Sequence, residues 1–471
     1  MSVLDSSRSS TDYLPGGRLK RLIGKPRSSW SPEDLAMVAR NQGVKTISLM
    51  HIGGDGWLKT LDFSPRSDDH FADILDGGER ADGSSLFPRT GIEADASDVV
   101  LRPRPATAFL DPFAPHPTLA VLCHHLGRDT RALPQSPDTI VRRAYERLYE
   151  ETGVELWGLG EVEYFLGKGA DERDIYGADD RGYHATAPFV FGEDLRRDAM
   201  AVLVDMGVPV KYGHSEVGYV EAEETEGIIW EQHEIELDLA PLPDAAEGVV
   251  LTQWVLRNLA HQRGMRLSLA PIVRRGHAGS GLHFHLSPLR DGRHLGGEDE
   301  EGTLGPEARW LIGGLVRTGG ALMAFGNREA GSFVRLLQGK EAPNTVTWGK
   351  YNRHALIRLP IQARTEDGRT VTPPTIEFRL PDGSCHPHLL LAGVAQAMML
   401  GRETEDLEGL LASTEVGKGD GTEAVPVPHD FHQAAEAMKK VQSFLEEDGI
   451  FPPGFIDRTL ERLEEMPSET A

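Results

Sequence analysis

Four short stretches restrict the fold of this chain more than anything else in it. They are "GEVEYFL" from Gly160, "EQHEIEL" from Glu231, "GSGLHFHLSP" from Gly279 and "TIEFRLP" from Thr375. Each alternates apolar and ionisable residues. In an extended strand, positions i and i+2 share a face. Leu282, Phe284 and Leu286 therefore point one way, and His283 and His285 the other. Glu161 and Glu163 lie opposite Val162 and Tyr164, Glu234 pairs with Glu236 on one face, and Glu377 with Arg379. One such strand is often only a solvated sheet edge. Four in one region predict a sheet packed on one face and lining a site with the other. Carboxylates with an imidazole suit hard divalent cations such as Mg²⁺ or Mn²⁺. The arginines of "SFVRLLQGKEAPNTVTWGKYNRHALIRLP" would complement anionic substrates, because guanidinium binds carboxylate and phosphate through two parallel hydrogen bonds. Metals, arginines and carboxylates together point to phosphoryl transfer.

At 471 residues the chain is long enough for more than one domain. The first 30 residues lack the apolar core of a secretory signal and read as a disordered basic tail. "SPEDLAMVARNQG" predicts a helix capped by Ser31 and closed by Gly43. A β-hairpin follows over Val44–Phe63, and "TLAVLCHHL" predicts a strand over Thr118–Leu126. A second region opens with a helix between Ser136 and Gly153. Residues 31–130 thus read as a small α+β domain and 131–471 as a larger second region. Cys123 and Cys385 are the only cysteines, which fits a reducing cytoplasm and argues against a disulfide framework. The net charge of −24 disfavours nucleic acid and anionic membranes as partners. No apolar run approaches a membrane span.

The motifs "DGSS", "GEVEYFL", "HSEV", "EQHEIEL", "GSGLHFHLSP", "GKEAP", "NRHALIRLP" and "IEFRLPDGSCHPHLLLAGVAQAMMLG" occur in that order between about residue 31 and residue 401. In this series the chain resembles the glutamine synthetase family. The resemblance implies an α+β protein, with a small N-terminal β-grasp domain followed by a larger catalytic domain built on an antiparallel metal-binding sheet. It implies two or more Mg²⁺ or Mn²⁺ ions per site, ATP as co-substrate, and a homo-oligomer of stacked rings, a dodecamer favoured. One metal would be held by Glu163, Glu216 and Glu234, the other by Glu161, His283 and Glu377. Gly279, Arg335 and Arg379 match substrate-binding positions. His285 and Ser287 match positions near the nucleotide. Arg353 and Arg358 match the arginines that neutralise the ATP phosphates. Glu341 matches a flap carboxylate that shields an acyl phosphate. Asp82 and Ser85 match ammonium-side residues supplied by an adjacent subunit, with Tyr183 nearby and Asp82 as the base. The implied reaction joins glutamate and ammonia to give glutamine, with a larger amine in place of ammonia as the alternative and a non-catalytic regulatory homologue as a third reading.

Three departures stand out. About ten extra residues lie between Glu216 and Glu234, leaving Glu226 as an alternative ligand and adding either a reshaped entrance or an elongated surface hairpin. Ala278 replaces an asparagine that helps bind glutamate in the family. Thr375 stands where an arginine is common.

Overall fold

The computed structural model describes residues 17–92, 94–171, 182–299, 301–339, 342–416 and 425–467. In chain order its strands are β1 (Thr46–Ile52), β2 (Leu58–Phe63), β3 (Glu79–Asp82), β4 (Asp98–Pro103), β5 (Phe109–Leu110), β6 (Thr118–Leu126), β7 (Glu155–Gly169), β8 (Val210–Val220), β9 (Ile228–Leu237), β10 (Ala240–Pro241), β11 (Arg266–Ser268), β12 (Leu282–Arg290), β13 (Arg293–His294), β14 (Trp348–Lys350), β15 (Ile357–Leu359) and β16 (Ile376–Phe378).

The first six form one sheet in the order β2-β1-β6-β4-β3, with β5 on the edge of β6. The hairpin expected at Val44–Phe63 is β1 and β2, and β1 runs parallel to β6. The Pro32–Gln42 helix begins as the sequence predicts. Ser31 and Asp34 form a reciprocal capping box that satisfies two backbone N–H groups at its start. Leu35, Val38, Ile47, Leu49, Leu119 and Val121 close the core of this layer.

Residues 17–30, expected within a disordered tail, are ordered. Arg18–Ile23 is a short helix. Leu19 and Trp30 bury themselves in the small-domain core. Arg27 donates to the carbonyls of Ala106, at 2.9 Å, and Gly207, at 2.7 Å. Two apolar anchors and a guanidinium with several backbone partners outweigh the polar composition that suggested disorder. Residues 1–16 lie outside the described residues.

The remaining ten strands form the second sheet, with the main path β14-β15-β16-β12-β7-β9-β8. All its neighbours are antiparallel except β14 and β15. Long helices cover one face, including Pro137–Thr152, Leu242–Gln262, Pro306–Gly326 and Pro387–Arg402. The largest core cluster joins Leu282, Phe284 and Leu286 of β12 to these helices, and Met50, Phe109 and Leu122 extend it into the small domain. The other sheet face is left to a cavity.

Candidate active site

Strand register explains how ionisable side chains come together on the uncovered face. Residues directly opposite in an antiparallel pair share a face. Arg358 on β15 faces Glu377 on β16, and Glu377 faces His285 on β12. One row along, His283 faces Glu161, Glu161 faces Glu236, and Glu236 faces Tyr212. In the next row Glu163 faces Glu234, which faces His214. Together they line a cavity of about 830 Å³, joined by Arg335, Arg353 and Arg379. The two histidines of the motif are thus aimed into a site while Phe284 between them is fully buried.

The "GSG" ahead of that strand has a steric reason. A Cβ on Gly281 would stand 2.5 Å from His283 Nε2, and one on Gly279 would stand 2.6 Å from the Pro271 carbonyl. Side chains there would displace the histidine or the loop that carries it. The Gly281 N–H instead donates to Glu163 Oε2 at 2.8 Å, and Gln232 Nε2 reaches both that oxygen and the Gly279 carbonyl.

Among the described residues, three groups of side chains each bring one ligand atom within 4.8 Å of the others: Glu161–His283–Glu377, Glu161–Glu236–His285 and His214–Glu216–Glu234. The first coincides with one ligand set expected from sequence. In the third, His214 joins Glu216 and Glu234, its Nε2 being 3.2 Å from Glu234 Oε1. Glu163 lies beside that group, with Oε2 already hydrogen-bonded. Glu226 is an exposed turn residue at φ 55° and does not line the cavity, so geometry favours Glu216. These oxygen-rich, imidazole-containing sets fit Mg²⁺ or Mn²⁺ by ligand chemistry.

The electrostatics show what the carboxylates need. Burial, followed by the nearby charge of Glu163, pushes Glu216 up to about 8. Burial and then Glu161, Glu163, Glu216 and Glu236 raise Glu234 well above the usual carboxylate range. Burial acts the same way on Glu161, but His285 and His283 outweigh it and hold that carboxyl well below its usual range. Burial opposes a charge on His285, yet Glu161 foremost lifts it to about 9. Glu377 stays low despite burial because Arg379 lies against it. Carboxyl groups raised in this way become stable anions only beside a stronger counter-charge.

This has a measurable consequence. Between about pH 4.5 and 8 the folded chain keeps a proton on Glu216 that the unfolded chain has released. His285 acts in the same direction from 6.5 to about 9. The folded state therefore binds more protons, and their contribution to metal-free stability falls as pH rises. Divalent ions displace the proton on Glu216, so their affinity rises over the same range. Melting midpoints with Mn²⁺ and with EDTA should diverge as pH rises from about 6 to about 8. A constant gap would count against these protonation states.

Other expected residues are placed as follows. Arg358 Nη1 donates to Glu377 Oε2 at 2.8 Å, and Arg379 bonds the other oxygen. Arg335 is buried against the Leu380 and Arg379 carbonyls, with Nη2 3.3 Å from His283 Nε2. Tyr183 is half-exposed on the cavity wall. Ser287 does not line the cavity, contrary to a nucleotide contact. It is fully buried, and its hydroxyl is spent on the Pro374 carbonyl and His294. His285 is held between Glu161 and the Thr375 hydroxyl, at 2.8 and 2.9 Å. Asp82 and Ser85 lie on the small domain, away from this chain's cavity, and bond each other. Ser85, Ser97 and Ser84 hold the Asp82 carboxyl below its usual range, which favours a persistent anion and weakens it as a base. Glu341 lies outside the described residues.

The extra segment prolongs β8 and β9 as a hairpin, with Tyr219 opposite Glu231, and it is anchored. Glu224 lies 3.1 Å from His277 Nε2, and the Tyr219 carbonyl lies 2.9 Å from His277 Nδ1. The insertion therefore fixes the residue next to Ala278, and both His277 and Ala278 line the cavity. Sequence reasoning missed His214 and Lys211. The only signals were the histidine of "HSEV" and a break in alternation at "VKYGH".

A small mixed sheet ahead of a large antiparallel one, whose open face gathers carboxylates, imidazoles and arginines, defines a two-domain α+β protein with a cavity whose side-chain chemistry suits divalent cations and anions. The model of the glutamine synthetase β-grasp domain matches residues 43–126, and that of the glutamine synthetase catalytic domain matches residues 134–465. The chain belongs to the glutamine synthetase family. It is 31% identical to a glutamine synthetase of Thermus thermophilus over 378 residues, covering 78% of this chain and 79% of that one. It is 29% identical to one from Azotobacter vinelandii over 456 residues, covering 90% and 93%. Among solved structures, Plasmodium falciparum glutamine synthetase superposes with a TM-score of 0.76 at 18% identity, covering 93% and 95%. A GmaS/ADP complex gives 0.73 at 20% identity, covering 91% and 94%. Family membership implies an ATP-dependent ligase that uses divalent metal. Among the described residues, no helix is long and apolar enough to cross a membrane.

Proposed function

We propose that this chain ligates glutamate and ammonia to give glutamine at the expense of ATP, as a cytoplasmic homo-oligomer of stacked rings. The proposal includes a division between small and catalytic domains near residue 130. The observation that carries it is the cavity itself, where metal-competent carboxylates line one wall and four arginines converge from the C-terminal half. A carboxylate is a poor acyl donor, and phosphorylation by ATP makes it a good one. Bound Mg²⁺ or Mn²⁺ would supply charge neutralisation for the triphosphate, held by Glu161, His283 and Glu377 and by Glu216 and Glu234 with Glu163 or His214. Arg353 and Arg358 stabilise the phosphates during transfer, and Arg335 and Arg379 hold the substrate carboxylate and the transferring group. The Gly279 segment forms the wall for the amino acid, and His285 borders the nucleotide. Glu341 closes over the acyl phosphate, keeps water out and takes a proton from the attacking amine. Asp82 and Ser85 come from a neighbouring copy and attract ammonium beside Tyr183, where Asp82 takes its first proton and leaves ammonia. The amine nitrogen then attacks the acyl carbon, and inorganic phosphate leaves.

A second reading, ligation of a larger amine to glutamate, is favoured by one observation. Ala278 lines the cavity without a hydrogen-bonding side chain, held in place by the His277–Glu224 contact. Phosphate release with Mg-ATP, glutamate and either ammonium or a panel of amines, with the amide identified, separates the two. Glutamine formed with ammonium supports the first reading. Turnover only with larger amines overturns it in favour of the second.

A further inference from the structure

The cavity holds a third metal-competent group, Glu161–Glu236–His285, which the two-cation arrangement leaves over. Glu236 is fully buried, and its Oε2 has no hydrogen-bond partner. Its Oε1 accepts a hydrogen bond from Lys211 Nζ at 2.6 Å. Lys211 reaches this position through a backbone irregularity. Val210 pairs with Leu237 and Tyr212 with Glu236, so two steps along β8 match one along β9 and Lys211 is the extra residue of a β-bulge. In a regular strand Lys211 and Tyr212 would point to opposite faces, yet both line the cavity. The Lys211 ammonium also lies 5.1 Å from the centre of the Tyr212 ring, within cation–π range.

We propose that Lys211 is a tethered cation that fills the third cation position, so that each site takes two divalent ions and not three. The inference rests on reading the cavity as a metal-dependent ligase site. A protonated lysine has three donors and no acceptor, so it cannot ligate a metal. It satisfies Glu236 by hydrogen bond and charge, and it repels a second cation from the neighbouring Glu161 and His285 atoms. The bulge directs its stem into the cavity.

The test counts Mn²⁺ bound by the full-length protein without nucleotide, following free Mn²⁺ by electron paramagnetic resonance. The wild type and Lys211→Arg should bind two ions per chain, and Lys211→Met three. In the wild-type background Glu236→Gln should keep both ions, with affinities changed by less than about threefold, because Glu236 serves the lysine and not a metal. Loss of an ion in Glu236→Gln overturns the proposal, as does an unchanged count in folded Lys211→Met. If Lys211→Met does not fold, the Glu236→Gln count decides alone. A wild type that binds no Mn²⁺ overturns the metal-dependent reading as well, whereas two ions in every variant overturns only the tether.

Discussion

Glu161→Ala should lower kcat/KM at least about a thousandfold, a loss near 4 kcal/mol of transition-state stabilisation. Glu161 belongs to two of the three metal-competent groups. Its oxygens lie 2.9 Å from His283 Nδ1 and 2.8 Å from His285 Nε2, so one carboxylate orients both imidazoles. Alanine removes an anion and leaves two buried histidines without their closest carboxylate partner. Mn²⁺ affinity should therefore fall by at least about a hundredfold at the site containing His283, with a smaller change at His214–Glu216–Glu234. Steady-state kinetics with a parallel Mn²⁺ titration checks this. Activity within tenfold of wild type would remove Glu161 from the centre of the site.

Phe284→Ala, one residue from each motif histidine, should instead destabilise the fold by about 3–5 kcal/mol. Phe284 is fully buried, lies opposite Gly160 on β7 and Phe378 on β16, and faces the covering helices. A glycine neighbour has no side chain with which to fill the vacated space, so the cavity term adds to the lost burial. The urea midpoint should drop markedly, while Mn²⁺ binding by the remaining folded fraction stays close to wild type. A stable Phe284→Ala protein with impaired metal binding would mean that the two faces of β12 are not separated as described.

These two substitutions show what could be read without coordinates. Alternation in "LHFHL" assigns Phe284 to a core and the histidines to a site, because side-chain direction in a strand depends only on the parity of position. The helix cap at Ser31 and the hairpin at 44–63 were legible because their causes lie within a few residues. The resemblance added the ligand set Glu161–His283–Glu377, and the structure brings those three together. Ser287 shows the limit. It has the parity of the histidines, but two residues further along the strand it has passed the cavity and is covered by Pro374 and His294. The tail misled because composition says nothing of Leu19 and Trp30 finding a core.

The sequence by itself determined which residues share a strand face, where the helices begin and which chemistry the polar faces carry. These follow from local backbone geometry and side-chain type. Only the tertiary structure decided which strands lie side by side, and so that His214 meets Glu216 and Glu234, that the insertion holds His277, and that a bulge brings Lys211 to Glu236. Register and bulges are set by contacts between segments distant in sequence, whose energies no local window contains.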